Sequence, residues 1–301
     1  MLRVTAPSEK PRFLSPLAKG YLVMLMVLLI WSGLALTVRG ISMSPLQFID
    51  VALIRFAVPV ILFAPFISAH YAEIKRARVS DLLFILLGGI PFLLFAALGA
   101  ETAPTAYVGT ILAGTPPLFV AVLSFVVYRK SLPIKRALAL SLILMGVVVM
   151  VVGRSDVMSA NIHHGVLYLL SAAIVWAFYT IGLIRAGLSA ISVAIILSYS
   201  SFLIVLTLLL LGVFPTSLGS FSWQDALPFI LVQGLGIGVL ATLGFSYAVQ
   251  RLGSAKSSVI GSISPSVTAL LAVPIFGESL TVAIVGGILL TIAGVILSNR
   301  I

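Results

Sequence analysis

Apolar residues in this chain come in long blocks separated by short polar turns. Ten blocks can be drawn, over residues 17–38, 47–69, 82–99, 104–128, 134–152, 165–186, 190–213, 226–248, 254–276 and 280–298. About 20 apolar residues in helical form cross the hydrocarbon layer of a membrane. A segment that crosses must also satisfy its own backbone N–H and C=O groups, which a helix does. The pattern therefore predicts an all-α integral membrane protein with ten transmembrane helices. Residues 1–16 carry Pro7, Pro11 and Pro16 among Arg3, Lys10 and Arg12, and read as a disordered cytoplasmic arm. A basic start before an apolar run also fits a signal peptide. The run from Leu17 to Val38 is too long for that, since a signal core has roughly 7–15 residues.

The blocks repeat. Shifted by 148 positions, a stretch near Ala106–Val152 falls on one near Ser254–Ile301, and marker residues coincide. Pro117 meets Pro265, Ala121 meets Ala269, Ser131-Leu132 meets Ser279-Leu280, and Gly146 meets Gly294. Earlier in each half, at an offset of 145, Gly20 meets Gly165 and Trp31 meets Trp176. Internal repetition constrains architecture more than any single motif. It divides the chain into a first five-helix repeat, 17–152, and a second, 165–301.

Charge separates the two copies. The first turn reads Arg129-Lys130-Ser131-Leu132-Pro133-Ile134-Lys135-Arg136, and the second reads Gly277-Glu278-Ser279-Leu280-Thr281. Cationic turns stay in the cytoplasm, so the copies face opposite sides of the membrane. Alternating the ten spans from a cytoplasmic N-terminus puts every Lys and Arg on the cytoplasmic side except Arg39, Arg154 and the intramembrane Arg55. The predicted architecture is thus two inverted five-helix repeats with both termini cytoplasmic. Inverted repeats are the means by which many secondary transporters make two access states.

Composition agrees. Hydrophobic residues make up 61% of the 301 and charged residues 9%, a balance no soluble domain has. The net charge of +10 would suggest nucleic acid in a soluble chain, but here topology accounts for the basic loops. There is no cysteine, hence no disulfide or thiolate metal site. The phosphate-cradling G-x-x-x-x-G-K-[ST] pattern is absent, which argues against ATP coupling within the chain. The lipid bilayer and a small-molecule substrate are the expected partners. No cofactor, metal or nucleic acid is expected, and a monomer is.

The chain resembles the EamA-type family of the drug/metabolite transporter superfamily. The resemblance is carried by Gly20…Trp31-Ser32-Gly33, Ser44-Pro45…Arg55-Phe56, the stretch Ala100–Ala106, and the block Pro117…Ser131-Leu132…Gly146 with its twin Pro265…Glu278-Ser279-Leu280…Gly294. It covers nearly everything after residue 17. The resemblance implies a central cavity that admits small metabolites, often amino acids for export, and a place in the inner (plasma) membrane. One departure is Lys130, where the family commonly has a Glu like Glu278 that serves as a turn or cap.

Arg55 is the foremost candidate for substrate contact. At roughly 13 Å along its span, a guanidinium costs about 2.5–3.5 kcal/mol to insert and must face protein or water. It would pair with a substrate carboxylate or tie structurally to helix-end carbonyls, to Asp50 or to Glu101. Trp31 and Trp176 would line the cavity from equivalent places or anchor the interface. Tyr179 and Tyr247, like Tyr107 and Tyr199, are weaker candidates, with packing as the plainer reading. Gln233 needs a hydrogen-bond partner inside the membrane, from substrate or another helix. Thr110, Ser258 and Ser262 would line the cavity or bond their own backbone. Pro117 and Pro265 interrupt helices at repeat-related places and are hinge candidates. No acid lies clearly at mid-depth, so facilitated movement or exchange is expected rather than obligatory proton coupling. An intramembrane enzyme would need a nucleophile–base pair or metal ligands at depth, and neither is visible. A scaffold or channel has no need of a deep Arg and paired Trp and Pro.

Overall fold

A run of apolar residues becomes a helix here because its ends are provided for. Ser15, Ser189, Ser222 and Thr281 each accept a backbone N–H from the first turn that follows, at 3.1–3.3 Å, satisfying donors that a helix leaves unpaired. The computed structural model describes residues 15–126, 129, 131–153 and 160–300, without the side chains of residues 160, 161, 254, 255 and 258. All described regular structure is helical. Nine helical segments among the described residues are long and apolar enough to cross a membrane, and Val282–Ser298, at 17 residues, is shorter. The arm preceding Ser15, Arg154 and Lys130 lie outside the described residues.

Pro16–Gly40 is α1. The second span is α2 (Phe48–Phe63) and α3 (Ile67–Arg76), joined by a tight turn at Ala64–Phe66. The third is α4 (Val79–Leu87) and α5 (Ile90–Thr102), interrupted at Gly88-Gly89. The fourth is α6 (Thr105–Gly114) and α7 (Pro116–Val126), and the fifth is α8 (Ile134–Val152). The second half follows with α9 (Ala160–Ala186) and α10 (Ala190–Leu210). Its third span comprises α11 (Trp223–Phe229), a π-helical stretch Ile230–Ala241, and α12 (Thr242–Leu252). Then come α13 (Ser254–Gly261) with α14 (Ser264–Phe276), and α15 (Val282–Ser298).

The halves interlock. The second, fourth and fifth spans pack directly on their repeat-related partners and run antiparallel. The start of α2 meets the chain after α10, where Asp50 accepts from the Thr216 hydroxyl at 2.5 Å and the Ser217 N–H at 2.9 Å. At the other end, Glu73 of α3 accepts from the Ser189 N–H at 2.5 Å and its hydroxyl at 2.8 Å, where α10 begins. In the α8–α15 pair, Gly153 lies against Ala283 at one end and Gly294 against Ala139 and Ile143 at the other. Thr105 and Gly109 of α6 face Glu278 and Thr268 in the same reversed order. The first and third spans exchange partners between halves: α1 packs on α12 and the π stretch, while α9 packs on α4 and α5.

Small residues allow these approaches, as expected where lipid offers no hydrophobic drive to bring helices together. Gly146 and Gly287 sit so close that a Cβ built on either would fall 2.5 Å from the other's carbonyl oxygen. Gly287→Ala therefore requires α8 and α15 to separate, at about 1–3 kcal/mol. Gly286 has only Val149, at 4.0 Å, within reach of such a Cβ. The melting temperature of the purified protein should fall by several degrees in Gly287→Ala and stay put in Gly286→Ala. Equal melting temperatures in the two variants would contradict this packing.

Candidate substrate site

The buried guanidinium of Arg55 is only 5% exposed. Its Nη1 donates to the side-chain oxygen of Gln233, a fully buried residue of the π stretch. Gln233 Nε2 donates to the Thr37 hydroxyl at 2.8 Å, and Thr37 Oγ1 donates to the Gly33 carbonyl at 2.8 Å. Donor and acceptor roles run one way along this relay, so α2, the π stretch and α1 are joined with every link satisfied. Gln233 thus has its partners, both from other helices. The relay is neutral apart from Arg55, and no carboxylate among the described residues lies within ion-pair distance of the guanidinium. Its remaining N–H groups make no hydrogen bond to the described residues, and none is sealed from solvent.

The acids that could have neutralised Arg55 are engaged elsewhere or point away. Asp50 caps its own helix by accepting from the Gln47 N–H at 2.9 Å and holds the loop at Thr216 and Ser217. Glu101 lines a separate outer cavity. The tie to helix-end carbonyls is made by another arginine: Arg39 Nη1 donates to the carbonyls of Ala100 at 2.6 Å and Glu101 at 2.9 Å.

An aromatic wall stands beside Arg55. Tyr179 of α9 is within Coulombic range of the guanidinium. Its ring centroid lies 4.7 Å from that of Trp176, which in turn lies 4.7 Å from Phe92 of α5. Offset and tilted rings at this spacing attract one another. The wall depends on the break in the third span, because Tyr179 lies where a Gly88 Cβ would project, only 2.5 Å from its ring carbon. The π stretch is the counterpart irregularity in the other half. Irregular backbone at membrane depth occurs where it is buried in protein or lines a cavity, and π-helical turns cluster at functional sites.

The structure therefore brings together Arg55, Gln233, Tyr179 and Trp176 and adds Thr37 and Phe92. Trp31 stands apart, its ring 5.2 Å from Phe245 and pressed on Gly261. Each Trp still packs on the third span of the opposite half. Tyr247 faces Arg251, whose guanidinium carbon lies 5.4 Å from the ring centroid. Thr110 Oγ1 donates to the Ala106 carbonyl at 2.7 Å and Ser262 Oγ to the Val259 carbonyl at 2.8 Å, so both protons serve their own helix. The side chain of Ser258 lies outside the described residues. Pro117 and Pro265 occupy the first turn of α7 and α14, each just past an interruption in its span. A proline there gives up no helical hydrogen bond.

Of the site, Thr37 and Phe92 carried no sequence signal strong enough to select them. The Gly88-Gly89 pair lay within the predicted span 82–99, and two adjacent glycines are the signal by which the helix break could have been found. A second polar cluster joins four segments at the far ends of the spans. Glu278 accepts from the Thr105 N–H at 2.9 Å and its hydroxyl at 2.7 Å, and lies 3.7 Å from Arg39 Nε. A carboxylate at the start of α6 complements the helix dipole. The helix it caps is not its own but one 173 positions earlier in the chain.

The chain matches the model of the EamA-like transporter family twice, over residues 18–152 and 163–300. A protein of Archaeoglobus fulgidus described as an uncharacterized transporter is 26% identical over 288 residues, covering 94% of this chain and 99% of its own. One of Clostridium kluyveri, described in the same words, is 24% identical over 301 residues, covering 93% of each. A solved crystal structure shares the fold at a TM-score of 0.60 and 19% identity, over 92% of this chain and 95% of the other. The two family matches fall on the two halves that pack antiparallel in the structure. The chain belongs to the EamA-like transporter family and is a multi-pass membrane transporter.

Proposed function

We propose that this protein is a secondary transporter that exports small carboxylate-bearing metabolites with an apolar side chain, amino acids among them. It works as a monomer of ten spans in the inner membrane, by alternating access of two inverted five-helix halves. The observation that carries the substrate class is Arg55. A cation at membrane depth with a neutral partner, and with N–H groups that bond no described residue, is suited to bind a carboxylate through its planar fork. Trp176, Tyr179 and Phe92 supply an apolar wall beside it. The antiparallel pairing of repeat-related spans supports the inverted architecture, and that architecture supports alternating access. The direction, export, rests on the family resemblance. Among the described residues the carboxylates sit toward the ends of the spans, which favours exchange or facilitated movement over obligatory proton coupling.

Topology has its own test. Reporter fusions are expected to place the C-terminus in the cytoplasm and residue 218 outside, following the basic-residue asymmetry. An external C-terminus would overturn the ten-span arrangement.

The site is tested by counterflow in proteoliposomes, with radiolabelled amino acids and their deaminated analogues offered one at a time. The native protein should move at least one carboxylate, and a protonophore should leave its steady state unchanged. A charge-assisted hydrogen bond contributes about 1.5–3 kcal/mol. Arg55→Lys keeps charge but loses the fork, and should weaken that substrate roughly 10- to 150-fold. Its melting temperature should stay within a few degrees of the native value. Unchanged substrate affinity with a lowered melting temperature would make Arg55 a helix tie and end the carboxylate reading.

A further inference from the structure

One cavity is separate from the Arg55 site and has a composition of its own. It measures about 200 Å³ and lies at the far ends of the first three spans. Val38, Ser42, Ser44, Gln47, Phe48 and Glu101 are among its lining residues. The positive-inside argument puts this end outside the cell.

Its chemistry is lopsided toward acceptors. Glu101 contributes a carboxylate. Ser42 Oγ donates to the Arg39 carbonyl and Ser44 Oγ to the Ile41 carbonyl, each at 3.0 Å. Both hydroxyl protons are therefore committed to backbone, and only lone pairs remain for a visitor. The Gln47 amide is the lining's side-chain N–H donor.

Glu101 also stands out among the acids. Asp50, Glu73, Asp81, Asp225 and Glu278 all have hydrogen bonds or ion pairs. Among the described residues Glu101, which is exposed at the mouth of the cavity, is the acid whose carboxylate has neither. The nearby cation does not neutralise it: Arg39 gives Nη1 to backbone carbonyls, and its Nε faces Glu278 at 3.7 Å.

We infer that this outer cavity is a second binding subsite, one that takes a primary ammonium group through Glu101 with help from the Ser42 and Ser44 oxygens. The apolar lining from Val38 and Phe48 accommodates a short aliphatic chain beside the cation. On the reading of Arg55 as a carboxylate partner, the outer subsite meets the ammonium end of a zwitterion at the mouth before the inner site takes its carboxylate. The subsite itself stands on the cavity and Glu101 alone.

Two probes separate the sites. Isoamylamine is leucine without its carboxylate, and 4-methylpentanoate is leucine without its amine. Their binding to the purified full-length protein in detergent is measured by ligand-observed NMR titration. Isoamylamine affinity should fall at least about tenfold in Glu101→Gln, partly return in Glu101→Asp, and hold steady in Arg55→Lys. The reverse pattern is expected for 4-methylpentanoate, sensitive to Arg55→Lys and indifferent to Glu101→Gln. Failure of the native protein to bind isoamylamine, or equal binding by Glu101→Gln, overturns the subsite. Failure of 4-methylpentanoate to depend on Arg55 overturns the inner carboxylate reading and leaves the outer subsite to its own result.

Discussion

A positive charge placed inside a membrane protein must be answered, and here the answer given by the fold is incomplete. Arg55 is buried in the second span with a neutral glutamine as its partner. The cost of an intramembrane guanidinium, about 2.5–3.5 kcal/mol on insertion scales, is not offset by any acid among the described residues. What the protein supplies is a dipolar relay through Gln233 and Thr37 that aims the guanidinium without discharging it. The surrounding geometry serves that aim. The π stretch presents Gln233, the Gly88-Gly89 break admits Tyr179, and Phe92 and Trp176 close the apolar side.

The remainder of the fold keeps this charge between two halves that hold each other at both ends. Asp50 and Glu73 fasten the second span to the seventh at opposite ends, one to the loop after it and one to its first turn. Glycine contacts bring the fifth and tenth spans to backbone distance. Glu278, Thr105 and Arg39 gather the outer ends of four segments. These ties lie at the ends, and the relay from Arg55 through Gln233 to Thr37 adds a polar link between the halves at depth. A central site flanked by end ties is an arrangement in which one end could be released while the other holds.

Much of this was legible in the chain. Hydropathy marked the spans, because a membrane helix declares itself by composition alone. The repeat predicted that Pro117 and Pro265, or Gly146 and Gly294, would occupy matching places, and each pair does. Glu278 stood out by its place before a Ser-Leu turn, but its partner at the start of α6 did not. The relay was not legible. Arg55 and Gln233 are far apart in sequence and on different halves, and no periodicity links them. Nor could hydropathy distinguish the π stretch from an α-helix, since it reads composition and not the hydrogen-bond step. Trp31 and Trp176 matched in sequence but diverged in surroundings. Each sits on the third span of the other half, and what that span offers differs: Phe245 for one, Phe92 for the other. Tyr247, Thr110 and Ser262 looked like candidates because polarity in an apolar run draws the eye. Local partners account for them, a neighbouring arginine in one case and a preceding carbonyl in the other two.

The central claim is that the unspent donors of Arg55 receive a carboxylate. A structure determined with a transported carboxylate bound tests it most directly. The account predicts the carboxylate oxygens on the guanidinium nitrogens not used by Gln233, at charge-assisted hydrogen-bond distances of about 2.7–2.9 Å. The apolar end of the ligand should lie against Trp176, Tyr179 or Phe92. A ligand bound with its carboxylate on other residues, and with Arg55 still bonded only to Gln233, would contradict it.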